Sequence, residues 1–213
     1  MKSSVKAALC AVAALAIAGP ASAHFILVAP DSAVVENVLG DPQKAAPCGL
    51  SEITSGTPTG KITEMKGGDS LHFKIRETIF HPGHYRIALS VLDRAELPKD
   101  PEATTTTSAS GAVISVSGKI DPDPKPPVLV DGLFMHDKPI PKQADGSPTF
   151  LEYDLKLPNI NCDKCTVQVI QFMEKHGLNK EGEFTYHHCA DLKITANATG
   201  TRTGPRRVTT SRS

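Results

Sequence analysis

The stretch 69-DSLHFKIRE-77 decides the fold class of this chain. Leu71, Phe73 and Ile75 alternate with the polar residues His72 and Lys74. This period of two is typical of a β-strand that buries one face and exposes the other. The stretch therefore predicts a half-buried strand.

Similar patterns recur along the chain. The stretch 84-HYRIALS-90 places every second residue on one apolar face, and 187-HHCADLKI-194 does the same, while 165-CTVQVIQFM-173 is a further β-rich run. Amphipathic helix patterns are absent from the sequence, and proline and glycine punctuate the gaps between the runs. Together these patterns predict an all-β sandwich with long loops.

Three segments do not share the strand pattern. The stretch 97-LPKDPEATTTTSASG-111 is interpreted as a polar loop, and 121-DPDPKPP-127 as a stiff proline-rich connector. Residues 196–213 carry several arginines and no apolar periodicity, which predicts a disordered basic tail.

The first 23 residues have the features of a leader peptide. Lys2 and Lys6 precede a short apolar run over residues 7–18, and residues 21–23 (Ala-Ser-Ala) form the small-x-small pattern of a signal peptidase site. The run is shorter than the roughly 20 apolar residues of a membrane span. A retained anchor or a different cut is the alternative. Cleavage after residue 23 would export a secreted or periplasmic protein that begins at His24.

Length and charge limit the class of partner. Removal of residues 1–23 leaves 190 residues, which suits one domain over residues 24–195 and a tail. The leader holds two of the 23 basic residues and none of the 23 acidic ones, so the formal charge of the remainder is −2. No basic field points to nucleic acid, and nothing calls for more than a monomer.

The mature chain keeps four cysteines, Cys48, Cys162, Cys165 and Cys189. An even number in an oxidising compartment predicts two disulfides, and four cysteines allow three pairings. The competing interpretation is a zinc site made by Cys162, Cys165, Cys189 and His188, which the irregular spacing disfavours.

An amino-terminal histidine offers a specific metal chemistry. The free amine and the Nδ1 atom of His24 can close a chelate ring on one metal ion, and the amine gives up its proton easily near neutral pH. A nitrogen from a second histidine would complete a three-nitrogen set. Such a set with open positions favours copper among the common metals.

The second histidine is not fixed by spacing. His81 and His84 both lie in 80-FHPGHYRIAL-89, a Pro-Gly turn that leads into a strand, and spacing alone does not choose between them. His72 lies on the polar face of its strand, where an exposed histidine is the ordinary interpretation. The chain's remaining histidines outside the leader are His136, His176, His187 and His188.

The closing strand contributes an aromatic residue. Tyr186 shares the inward parity of its strand with His188, so it points to the core and could cover the axial side of a metal, or simply be a core tyrosine. His188 could lie in the surroundings of the metal, whereas His187 should face away.

These features together resemble the lytic polysaccharide monooxygenases, which are copper enzymes with a histidine brace. The resemblance rests on four ordered matches within residues 24–195: the terminal His24, the stretch 81-HPGHY-85, the stretch 162-CDKCTVQ-168, and the closing stretch 186-YHHCADLKI-194. It implies a β-sandwich of the immunoglobulin or fibronectin type.

The resemblance also implies roles for individual residues. His24 would supply its amine and Nδ1, and His81 would supply Nε2, because the family histidine stands two positions before a glycine, here Gly83; His84 is the less favoured alternative. Tyr186 would be the axial aromatic residue. The implied disulfides are Cys162–Cys165 and Cys48–Cys189.

The implied reaction is the oxidative cleavage of glycosidic bonds in a polysaccharide, with one copper ion and a small-molecule or protein reductant. The family keeps a Gln or Glu beside the copper, but the matching place here is Phe184, so Glu183 or Gln171 would substitute. The chain departs from the family in having no tryptophan and only 5% aromatic residues. A non-catalytic extracytoplasmic copper carrier with the same brace is therefore the alternative, and a structural or carbohydrate-binding sandwich with an incidental His24 is the third hypothesis.

Overall fold

A computed structural model describes residues 24–198; the predicted leader lies outside these residues, as do residues 199–213 of the predicted tail. Within 24–198 the chain forms ten β-strands, and its helices are two short 3-10 turns, Ile53–Ser55 and Arg94–Glu96. The strands are β1 His24–Ala29, β2 Ile62–Lys66, β3 Ser70–Ile79, β4 Gly83–Ser90, β5 Ala103–Thr107, β6 Val113–Gly118, β7 Val128–His136, β8 Leu151–Lys156, β9 Cys162–Met173 and β10 Thr185–Thr195.

The strands form two main sheets. One sheet has three strands in the order β1-β3-β8, and the other has five in the order β2-β10-β9-β4-β7. All neighbours are antiparallel except β2 and β10, which run parallel. Strands β5 and β6 form a separate two-stranded ribbon.

One apolar core lies between the two main sheets. Phe73 and Ile75 of β3 are fully buried in it, together with Ile87 of β4 and Val169 of β9. Each such side chain contributes about 1.5–3 kcal/mol when it leaves water. The alternation in 69-DSLHFKIRE-77 therefore reflects the inward face of β3, and the prediction of an all-β sandwich is confirmed.

The outer face of the five-stranded sheet is also covered. Ala88 of β4 packs there in a second, smaller cluster with Ala33, Leu97 and the cystine of Cys48 and Cys189. This covering explains why every residue of β4 is buried, although its sequence alternates only partly.

Two disulfides join the predicted pairs of cysteines. Cys48 is bonded to Cys189, 141 residues away, and Cys162 to Cys165 at the start of β9. These are the pairings that the family resemblance implies. The first ties the long segment between β1 and β2 to the middle of β10.

The polar stretch 97–111 is more ordered than its composition predicts. Residues 103–107 form β5 and pair antiparallel with β6, so the interpretation of the whole stretch as a loop is wrong. Four consecutive threonines lack apolar alternation, yet their β-branched side chains suit a strand.

The described chain continues past β10. The backbone amide of Ala196 donates to Asn161, and that of Asn197 donates to Asn159. Among residues 24–198, no helix has the length and apolar character that a membrane crossing requires.

Candidate metal centre

Strand pairing brings His24 and His81 to one end of the sandwich. His24 begins β1 and is the register partner of Ile79, the last residue of β3. His81 follows two residues later, in the turn before β4. The turn requires glycine at position 83, because a Cβ atom there would clash with the carbonyl oxygen of Phe172, only 1.9 Å away.

Four rings form a continuous cluster at this end. The centroid of the His24 ring lies 5.4 Å from that of Tyr186, which lies 6.2 Å from that of His176. The His176 ring in turn lies 4.8 Å from that of His81. The side chains of all four residues are buried. We call these four residues the histidine–tyrosine cluster.

One ring nitrogen of each of the two predicted ligands has no hydrogen-bond partner among the described residues, as is also true of both ring nitrogens of His84. His24 Nδ1 and His81 Nδ1 are buried and have no hydrogen-bond partner within residues 24–198. The other nitrogen of His24, Nε2, lies 3.4 Å from Asp41 Oδ2. A buried polar atom without a partner costs about 1–3 kcal/mol, so such atoms in a native fold call for an explanation.

The Nδ1 atom of His24 fits a metal that prefers imidazole. His24 leaves free the nitrogen that the chelate with its amine requires, while Asp41 faces the opposite edge of the ring. For His81 the orphaned atom is Nδ1, whereas the resemblance implies Nε2 as the ligand. Burial, followed by the charge of His176, lowers the pKa of His81 to about 4, so its ring is neutral near pH 7.

His84 lies on the other face of the five-stranded sheet. Its ring stacks on Phe172 with centroids 5.3 Å apart, and its Nε2 lies 3.9 Å from Asp131 Oδ1. Tyr85, the next residue, points into the core together with Tyr186. The sheet therefore separates His84 from the histidine–tyrosine cluster, and the geometry favours His81 as the partner of His24.

The two candidates for the family's Gln or Glu occupy different environments. Glu183 lies in the turn before β10 at φ 45° with an exposed side chain. Gln171 is fully buried on β9 and is the register partner of both Tyr186 and Tyr85. The arrangement favours Gln171 as the polar neighbour of the cluster.

Gln171 leads to a buried carboxylate that the sequence interpretation missed. Glu77 Oε1 accepts hydrogen bonds of 2.9 Å from Gln171 Nε2 and from the Tyr85 hydroxyl. Its Oε2 atom accepts a 3.0 Å bond from His136 Nε2. Glu77 shares the inward parity of Phe73 and Ile75, so a charged residue at that position was the available signal. His176 carried no such signal, because it lies in a turn after β9.

The histidines of β10 divide as their parity predicts. His188 is buried on the core side and packs edge-on against Phe25 with centroids 4.5 Å apart. His187 points to the opposite face, where its Nε2 lies 2.8 Å from Asp100 Oδ1. It is nevertheless fully buried, because the segment around Asp100 covers that face.

A cavity of about 620 Å³ lies away from the histidine–tyrosine cluster. Its lining includes Cys165, Asp191 and Arg94 and none of the four cluster residues. Arg94 and Asp191 form an ion pair there at 2.5 Å. Since both charges are already neutralised by each other, the cavity offers no free charged group of this pair to a ligand.

Comparison with known proteins identifies no family for the chain. No protein-family model matches the sequence, and no curated protein matches it. A solved crystal structure of a chitin binding domain from Burkholderia pseudomallei is similar over 82% of this chain and 100% of that chain, with 11% sequence identity and a TM-score of 0.41. So distant a likeness carries no argument about function. The fold and the cluster thus define an all-β sandwich with a buried group of histidines at one end.

Proposed function

We propose that the mature chain, residues 24–213 after export and cleavage, is a copper-binding protein with a histidine brace. The observation that carries the proposal is His24 Nδ1, which is buried without a partner in a cluster with Tyr186, His176 and His81. The two disulfides suit an oxidising, extracytoplasmic compartment.

Each residue would have a defined task at this site. The His24 amine and Nδ1 would chelate one copper ion, and His81 would supply a further nitrogen. Tyr186 would pack beside the His24 ring and keep water away from that side of the site. Asp41 would orient the His24 ring through Nε2, as carboxylates commonly do for metal-binding imidazoles.

The activity that fits such a site is that of a copper-dependent polysaccharide monooxygenase. Bound copper would supply the one-electron chemistry by which O2 or peroxide, the oxidant, hydroxylates a C–H bond at a glycosidic carbon, with a small-molecule or protein reductant providing the electrons that reduce the copper. Gln171 and Glu77 would provide a fixed hydrogen-bonding surface beside Tyr186. The polysaccharide would dock on the end of the sandwich that carries the cluster.

A second function is favoured by the burial of the site. The His24 and His81 residues are each only 5% exposed, and the chain has no tryptophan to stack on a flat glycan. A recessed brace suits a protein that holds or carries copper without turnover. The same ligands would serve both functions.

Electron paramagnetic resonance on the processed protein with one equivalent of Cu(II) tests the proposal. An axial spectrum with nitrogen couplings that disappears in His81→Ala but persists in His84→Ala supports the brace. A spectrum of loosely bound copper in the wild type overturns it and leaves a carbohydrate-binding sandwich. Release of oxidised oligosaccharides with reductant, tested on insoluble and soluble glycans, then separates the enzyme from the carrier.

A further inference from the structure

Strand β1 is the free edge of its sheet, and side chains bind the backbone groups on that edge. β1 pairs only with β3 in the order β1-β3-β8. On its other side, the Phe25 amide donates to Gln43 Oε1 at 3.1 Å, and the Phe25 carbonyl lies 3.0 Å from His188 Nε2. The Leu27 amide donates to Glu36 Oε2 at 3.2 Å. Side chains thus replace the missing neighbouring strand.

The contact between His188 and Phe25 has a defined proton position. Burial lowers the pKa of His188 to about 3, so its ring is neutral and carries a single N–H. A carbonyl oxygen only accepts hydrogen bonds, so the proton lies on Nε2 and points to Phe25. The Nδ1 atom then presents a lone pair, and Glu36 Oε1 lies 3.1 Å from it.

Glu36 suits this lone pair in its protonated form. Its side chain is 7% exposed, and burial raises the pKa of Glu36 to about 7 against the opposing hydrogen bonds of Ser32 and Leu27. With His188 neutral, a carboxylic acid hydroxyl can face Nδ1 while the second oxygen accepts from Leu27.

The backbone at Gly40 packs closely against the carbonyl group of Phe25. A Cβ atom at Gly40 would lie 1.9 Å from the Phe25 carbonyl oxygen, and φ at Gly40 is +108°. The loop that contains Gly40 also supplies Asp41, which faces His24, and Gln43, which is fully buried. The residue that follows His24 is therefore held from three directions.

We infer that His188, supported by Glu36, is a positioning residue that fixes the Phe25 peptide unit and thereby keeps His24 at the histidine–tyrosine cluster. This inference rests on the proposed function where it treats His24 as a metal ligand. The physical reason is that a chain terminus on an edge strand frays unless it is tied down, whereas a chelating amine needs a fixed position. His188 is not itself proposed as a metal ligand.

The chain offers a matched control in the neighbouring histidine. His187 is as buried as His188 and is also hydrogen-bonded, but it points to the opposite face of the sheet, towards Asp100. Replacing either residue with alanine removes the same atoms from the same strand. A merely structural role would therefore give both variants similar effects.

Residue-resolved amide exchange on the metal-free protein, processed from its own leader, tests the positioning directly. We expect His188→Ala to speed exchange of the Phe25 and Leu27 amides at least tenfold over the wild type, as expected when a local tie is lost. His187→Ala should leave these two amides within about twofold. The Cu(II) dissociation constant should rise about tenfold in His188→Ala and stay within about twofold in His187→Ala.

Glu36 provides a second pair of variants if His188→Ala does not fold. Glu36→Gln keeps one donor for His188 and one acceptor for Leu27, so both readouts should stay near the wild type. Glu36→Ala removes both and should behave like His188→Ala.

Equal exchange at Phe25 and Leu27 in the His188→Ala and His187→Ala variants overturns the inference, as does wild-type exchange at these amides in Glu36→Ala. Equal copper affinity in the two histidine variants also overturns it, even if exchange differs. If the wild type itself binds no copper, the proposed brace fails, and the exchange comparison alone decides whether His188 holds the terminal segment.

Discussion

His24, the first residue of β1, packs edge-on against Tyr186 of β10 with ring centroids 5.4 Å apart. This contact joins the two main sheets, because β1 belongs to the three-stranded sheet and β10 to the five-stranded one. The cluster therefore lies where the sandwich layers meet, and its geometry depends on both sheets. Substitutions in β1 or in β10 should therefore both alter the geometry of the histidine–tyrosine cluster.

The first prediction is that copper binding requires His24 to be the amino-terminal residue. Adding one residue before His24 converts its amine into an amide and removes one arm of the chelate. We expect the Cu(II) affinity to fall by roughly a hundredfold or more, since a chelate gains by effective concentration. Isothermal titration with Cu(II) measures the change, and proteolytic removal of the added residue should restore binding. Unchanged affinity in the extended protein would contradict the brace.

The second prediction distinguishes His81, in the turn before β4, from His84, near the start of β4, as the copper ligand. His81→Ala should abolish the axial Cu(II) spectrum with its nitrogen couplings, because His81 belongs to the histidine–tyrosine cluster. His84→Ala should leave the spectrum unchanged and instead lower the free energy of unfolding by about 1–3 kcal/mol, because its ring is 1% exposed and stacks on Phe172. Urea denaturation and resonance spectra of both variants provide the comparison. Loss of copper binding in His84→Ala alone would reverse the assignment.

Strands β3, β4, β9 and β10 could be predicted because the core imposes an apolar pattern on their sequences. Phe73 and Ile75 recur with period two in β3, since a strand turns only every second side chain towards the other sheet. The β5–β6 ribbon could not, because its exposed threonines gain their order from pairing with Val113–Gly118 rather than from burial. Apolar alternation therefore indicates strands that are buried on one face, and it does not indicate an exposed ribbon such as β5–β6.

The candidate site was only partly predictable for a similar reason. His24 was found from the leader boundary and Tyr186 from its parity, which are both local signals. The partner of Glu77 on β9, Gln171, is 94 residues away, and no local pattern indicates that the two side chains meet. His176 joins the cluster through the path of a turn, and turns leave no periodic signal.

The buried carboxylate of Glu77 gives the third prediction. Its oxygens accept from Tyr85, Gln171 and His136, so Glu77→Ala leaves three donors without their acceptor. We expect the free energy of unfolding to fall by about 3–5 kcal/mol, the range for breaking a buried charged pair. Thermal and urea unfolding measure the loss. Glu77→Gln, which keeps an acceptor, is the matched control and should lose less.

The same contact predicts a pH dependence. The hydrogen bond to Glu77 is the main factor that raises the pKa of His136 above its ordinary value, although partial burial opposes it. Both ring nitrogens face acceptors, namely Glu77 and the Phe134 carbonyl, so the charged ring is well satisfied. This stabilisation is fully present below the unfolded pKa of about 6.5 and is lost as pH rises through the folded value.

Urea unfolding between pH 5 and pH 9 checks this dependence. The difference in unfolding free energy between the wild type and His136→Gln should shrink as pH rises through that interval. An NMR titration of the His136 ring should show its pKa falling towards the ordinary value in Glu77→Gln. If the difference in unfolding free energy between the wild type and His136→Gln does not change with pH, the contact with Glu77 does not raise the pKa of His136.

The two disulfides should differ in their contribution to stability, which is the last prediction. Cys48–Cys189 closes a loop of 141 residues, whereas Cys162–Cys165 spans a sequence separation of 3. Because a cross-link restricts the unfolded chain more when it closes a longer loop, replacing Cys48 and Cys189 with alanine should cost about 2–5 kcal/mol. Replacing Cys162 and Cys165 should cost clearly less, and this double variant is the matched control. Differential scanning calorimetry of the two variants measures both losses. A larger loss in the Cys162 and Cys165 variant would mean that native packing at the start of β9, rather than restriction of the unfolded chain, dominates the effect.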